Sequence, residues 1–206
     1  MEDGLAMLAR LNEETKPDHA DADADLERYL LTDPVTVDGY CTYLARLYGF
    51  LIPFEAAITG TPRLHEFINM TERAKSHLVL RDLNALGVSA TTIDSLPQCD
   101  AIPAFQGVAA ALGWMYVVER PLLASAVIKG HLATQLSAEM RHASSYLTCY
   151  ESRVGSSWRE LGEAMDAIAI TSQMADRIIG AARDGFRCLH RWRTIELGGQ
   201  RQASVC

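Results

Sequence analysis

Tyr40, Tyr43, Leu44, Leu47, Leu51 and Phe54 recur every three or four residues. That spacing lines one face of an α-helix and cannot serve the two-residue alternation of a β-strand. The period returns in "ERAKSHLVLRDLNAL" (72–86) through Leu78, Leu83 and Leu86, with Gly87 where a C-terminal cap belongs. It runs again over about 103–118, 122–149, 157–169 and 172–196, with breaks at "RP", "SRVGSS" and "AITSQ". Nothing alternates convincingly with a period of two. The expected fold class is therefore all-α, a multi-helix domain with short connections. Pro53 removes an amide donor and is expected to kink its helix. "GVSATTIDSLPQCD" reads as a loop with a small helix-start signal at Thr91 to Asp94.

A chain of 206 residues with 49 % hydrophobic and 22 % charged content has enough apolar material for one substantial core, so a single domain over 1–206 is expected. The segment "GGQRQASVC" (198–206) reads as a frayed tail. A formal charge of -7, without a block of Lys or Arg, argues against a nucleic-acid or anionic-membrane surface. The longest apolar runs, such as "GVAAALGWMYVV", fall short of a bilayer span, and no charged start precedes an apolar leader. A cytoplasmic location is expected. Five cysteines, at 41, 99, 149, 188 and 206, are odd in number, widely separated and lack a CxxC. They indicate neither a disulfide framework nor a zinc site, and read as buried or free thiols.

Near the N-terminus "EETKPDHADADADLERYLL" sets His19 among carboxylates. Asp23 lies at i+4 and Lys16 at i-3, so the three can share one helical face. A carboxylate one turn on can hold one ring nitrogen and leave the other for a metal, and an ammonium can meet an anionic group. A solvated or hydrogen-bonded helical histidine satisfies the same spacing, and spacing alone leaves both readings open. His65, His77, His131, His142 and His190 have no partner at i+3 or i+4 that makes a metal pair. Pro17 suggests that the helix carrying His19 starts or bends near Lys16.

"LARLNEETKPDHADAD" resembles the N-terminal signature of heme oxygenases, roughly L-R-x-x-T-x-x-x-H, and Thr15 and His19 fall on it. The likeness continues through "VTVDGYCTYLARLYGFLIPFEAAI", "KSHLVLRDLNALG", "ALGWMYVVERPLLASAVIKGHL" and "YESRVGSSWREL", most similar to the bacterial branch that accompanies biliverdin-binding phytochromes. The resemblance implies O2-dependent opening of heme to biliverdin, carbon monoxide and iron, with electrons from an external donor such as a ferredoxin or flavoprotein. It implies His19 as the iron ligand, Asp23 as partner of its ring, and Lys16 and Arg153 as candidates for the heme propionates. On the distal side the family carries E-G-S-x-L-G-G, where this chain has "ERPLLAS". Glu119 and Leu123 are kept, and Arg120, Ala124 and Ser125 stand where the family has glycine. Side chains there can crowd the ligand or push the helix outward; Ser125 can also donate a hydrogen bond, and Arg120 can pair with Glu119, Glu139 or a propionate, or point to solvent. Two functions follow: a biliverdin-forming enzyme, or a heme- or tetrapyrrole-binding protein of the same fold that does not open the ring. Thiamin-degrading relatives of the fold are a remoter fit.

Overall fold

The 23-residue helix α3 (Val37–Thr59) starts where the side chain of Thr36 accepts the amide of Gly39, and it runs through Pro53 without ending. Tyr40, Leu44, Phe50, Leu51 and Phe54, the residues of the apolar spacing, are buried along it. Before it come α1 (Ala6–Glu14), α2 (Lys16–Leu26) and a π-helical turn, Glu27–Leu31. After it come α4 (Ser76–Ala85), α5 (Ala90–Asp94), α6 (Val108–Glu119), a 3-10 turn Arg120–Ala124, α7 (Ser125–Gln135), α8 (Val154–Ile168) and α9 (Ser172–Thr194). This computed structural model describes residues 6–194, apart from the side chains of residues 20–22. The described residues contain no strand, and the fold is all-α. The expected frayed tail lies outside them.

Helix α6 is the spine. Leu112, Trp114, Met115, Tyr116 and Val117 are all at most 3 % exposed, so α6 is buried on every side rather than along a stripe. It packs on α9 at backbone distance: a Cβ on Gly113 would stand 2.3 Å from the carbonyl oxygen of Ile178. Gly49 of α3 is equally confined, its missing Cβ 2.3 Å from the carbonyl of Pro97 and 2.9 Å from Trp192. A backbone approach this close, helix to helix at Gly113 and helix to loop at Gly49, is open only to glycine. Phe50 and Trp114 stack at 6.4 Å between these elements.

Four sequence expectations shift. The helix expected from residue 72 begins only at Ser76, because Glu55 accepts the amides of Lys75 and Ser76 and caps it there. Helix α7 ends at Gln135 instead of running to 149. Downstream, the fully buried carboxylate of Asp82 takes the amides of Ser145 and Tyr146, so those donors do not continue a helix. Counted through the 3-10 turn, the apolar stretch Val108–Gln135 is long enough for a bilayer span, yet 61 % of its most apolar window is buried within the chain, as in a core helix. Cys99, Cys149 and Cys188 are free thiols, whereas Cys41 is disulfide-bonded, a pairing that sequence spacing does not expose because it depends on proximity in the fold.

Candidate functional site

Thr15 interrupts the N-terminal helical run: α1 ends at Glu14 and α2 restarts at Lys16, with Pro17 in its first turn, where a missing amide costs nothing. The break falls where Pro17 suggested. It turns the fully buried hydroxyl of Thr15 inward, where it donates to the carbonyl of Leu11 at 2.7 Å. With its proton committed, the oxygen is left to accept from Nε2 of His19 at 3.0 Å. The imidazole therefore carries its proton on Nε2 and its lone pair on Nδ1.

The His19 ring packs between Phe186 of α9, 5.5 Å away, and Tyr116 of α6, 6.5 Å away. Burial, followed by the nearby charge of Arg120, holds its pKa below the ordinary histidine value, against the opposing pull of Asp23 and Asp18. The ring is thus neutral at pH 7, the form that binds metals.

A cleft of about 670 Å³ opens beside this ring. Leu8, Leu26 and Leu31 make one wall, from α1, α2 and the π-helical turn; Tyr116, Leu123 and Ala124 make the other. Trp158 of α8 contributes indole surface, and the polar groups are Asn12, Asp23, Glu27 and Arg120. Clefts that hold cofactors have this size, about 300–1,000 Å³, and this mostly apolar lining. His19 is set one turn from Asp23 and in ring contact with Tyr116, both cleft residues, but it is not itself a wall. Among the described residues no group of three His, Cys, Asp or Glu side chains could cage a metal ion. A metal beside His19 therefore has to bring its remaining ligands, as a metallated macrocycle does. A large flat apolar group with one metal centre fits these residues.

The other sequence candidates separate. Asp23 bonds not His19 but Arg120, whose Nη1 lies 3.0 and 3.1 Å from the two carboxylate oxygens. Arg120 accordingly neither points to solvent nor pairs with Glu119 or Glu139. Ala124 is exposed on the cleft, whereas Ser125, the first residue of α7, is 5 % exposed and lies off the lining. Lys16 is exposed on the first turn of α2. Arg153 forms an exposed pair with Glu72 at 2.7 Å and is not a cleft residue.

Glu119 turns away from the cleft into a buried cluster. Lys75 Nζ donates to it at 2.7 Å, the Tyr150 hydroxyl lies 2.7 and 2.8 Å from its two oxygens, and Arg73 stands 3.5 Å away. Arg73 Nη1 has no hydrogen-bond partner, so two buried cations converge on one carboxylate. Burial, then Glu119, raises the Tyr150 pKa above its usual value and keeps the phenol protonated as a donor. Sequence reasoning missed this cluster, because its members are 31 to 46 residues from Glu119 and share no helix face.

A family model described as heme oxygenase matches residues 5–194. No curated protein and no solved structure matches the chain.

Proposed function

The chain belongs to the heme oxygenase family, and from that premise we propose that it takes one heme into the cleft beside His19 and opens it to biliverdin, carbon monoxide and iron. The observation that carries the reading is a neutral imidazole in ring contact with Tyr116, a wall of an apolar cleft of about 670 Å³, with no other metal cage among the described residues. Heme supplies the oxygen and redox chemistry; electrons come from an external donor such as a ferredoxin or flavoprotein. The protein's own work is positional. His19 offers a lone pair held in place by the Thr15 bond, and Tyr116 and Trp158 supply flat surface to the cleft. Leu8, Leu26 and Leu31 exclude water from one side, and Ala124 sets how closely the 3-10 turn approaches the ligand. We assign the chain to the bacterial, phytochrome-associated branch on the blocks quoted above.

One observation favours the second reading, heme or tetrapyrrole binding without ring opening: Arg120 and Pro121 occupy the cleft wall where the family has small residues. Hemin titration followed by single turnover with ascorbate or a ferredoxin separates the two. The enzyme reading expects a one-to-one Soret complex that is lost or altered in His19→Ala, and biliverdin on reduction. Ala124→Gly should change turnover, whereas Ser125→Gly, off the cleft, should not. Tight one-to-one binding with no biliverdin from either the wild type or Ala124→Gly leaves the binding reading.

A further inference from the structure

Between α5, which ends at Asp94, and α6, which begins at Val108, the chain crosses the surface as a strap without helix, residues 95–107. Only two of its side chains are buried, Cys99 and Phe105. Phe105 packs on Phe54 and Trp114, at 6.3 and 5.4 Å between ring centres. Cys99 is held at its backbone, where its amide donates to the carbonyl of Gly49 at 2.9 Å, and its sulfur lies 3.7 Å from that of Cys188 on α9. Both are free thiols, 4 % and 7 % exposed. A thiol is a weak hydrogen-bond donor, so in this form the second anchor of the strap is little more than packing. As a disulfide it would be a covalent link between residues 89 apart in the chain. The sulfurs need to close by only about 1.7 Å to reach bonding distance. The chain already carries one disulfide, at Cys41, and a second asks for no chemistry that the first did not.

We propose that Cys99 and Cys188 are an oxidisable pair whose disulfide locks the 95–107 strap onto α9, and that reduction leaves the strap free to open. The oxidant is a low-molecular-weight disulfide such as glutathione disulfide. Cys99, carried outward when the strap opens, attacks as its thiolate and releases one glutathione; Cys188 then attacks the Cys99 sulfur and releases the second. Two protons and two electrons leave the protein thiols and end on the two glutathione molecules. Burial, then the neighbouring Cys99, pushes the Cys188 thiol up to about 12, so it stays protonated while the strap is shut. Exchange therefore runs through the opened strap, and the pair is a slow lock and not a fast sensor. Neither cysteine lines the cleft, so the inference does not rest on heme binding.

The test uses the full-length apo protein, incubated with glutathione disulfide or with dithiothreitol, then alkylated and digested with trypsin. Cleavage places Cys99 in residues 82–129 and Cys188 in "CLHR", 188–191. Oxidation should join these two peptides with the loss of two hydrogens, and dithiothreitol should separate them. Hydrogen exchange at the Cys99 amide, which requires its bond to Gly49 to break, reads the opening of the strap. It should be several-fold slower in the oxidised protein than in the reduced one, and Cys188→Ala should exchange at one rate under both treatments. That variant also accounts for the Cys41 disulfide, which the reductant breaks as well. Peptides that emerge from oxidation separately alkylated or carrying glutathione, or joined to Cys149 instead, overturn the proposal in the wild type alone, whether or not a variant folds. A cross-link that leaves the Cys99 amide exchanging at the reduced rate overturns it too, because the strap is then not held by the bond.

Discussion

Glu119 and Arg120 adjoin in sequence at the end of α6, and their charges face opposite ways. Glu119 points into the protein, 6 % exposed, among Lys75, Arg73 and Tyr150. Arg120 points into the cleft and meets Asp23, with side chains 22 % and 29 % exposed. Burial separates the two in energy. A buried ion pair has surrendered its hydration, so removing one partner strands the other and destabilises strongly. A water-accessible pair loses little when broken, because solvent replaces each partner. One peptide bond thus joins a charge committed to holding the helix end and a charge free to be used at the site.

The largest effect belongs to Glu119→Ala, which leaves the buried Lys75 cation without a carboxylate and Arg73 with only the exposed Glu160, and should cost about 3–5 kcal/mol of apo-protein stability, read by denaturant unfolding. Tyr150→Phe comes next. It removes only the phenol donor to Glu119, for which a loss of about 1.5–3 kcal/mol is expected in the same assay. Breaking the cleft pair is smaller again: Asp23→Ala or Arg120→Ala should cost no more than about 1 kcal/mol, and added salt should shrink the difference. If the cleft pair proved as costly as the buried cluster, the contrast would fail.

The smallest effect is on pH dependence. His19 has a folded pKa lowered from about 6.5, so the unfolded chain binds more protons in that window. The stability linked to this residue is complete above the unfolded value and is lost as pH falls through the folded one. Arg120→Ala deletes one of the two causes of the lowering, so the drop in apo stability between pH 7.5 and 5.5 should be shallower in that variant than in the wild type.

Much of the fold was legible because helical burial is periodic. α3, α6, α8 and α9 lie where apolar spacing placed them, and Gly87, at φ +88°, terminates α4 as its position suggested. The segment after Gln135 misled because Leu136, Met140, Leu147 and Tyr150 keep a helix-like apolar rhythm while the backbone amides beside them serve Asp82. At the site, the family motif picked out Thr15 together with His19, but the bond between them was not expected, since Asp23 was read as the ring's partner. The partner of Asp23 was not legible either: Arg120 is 97 residues away, and only the packing of α2 toward the end of α6 brings the two together. Spacing nominated the right face and the wrong bond.

The close approach at Gly113 also has a mechanical consequence. With no side chain between their backbones there, α6 and α9 have no soft layer through which to slide, and so behave as one stiff beam. The opposite wall is jointed at Thr15, where the helical ladder is interrupted. That wall is nonetheless held to α9 by Arg10–Asp176, Glu14–Arg183 and Asp25–Arg193, and to the far side of the cleft by Asp23–Arg120, so admitting a ligand as wide as a macrocycle means parting the cleft pair while the others keep the wall against the beam.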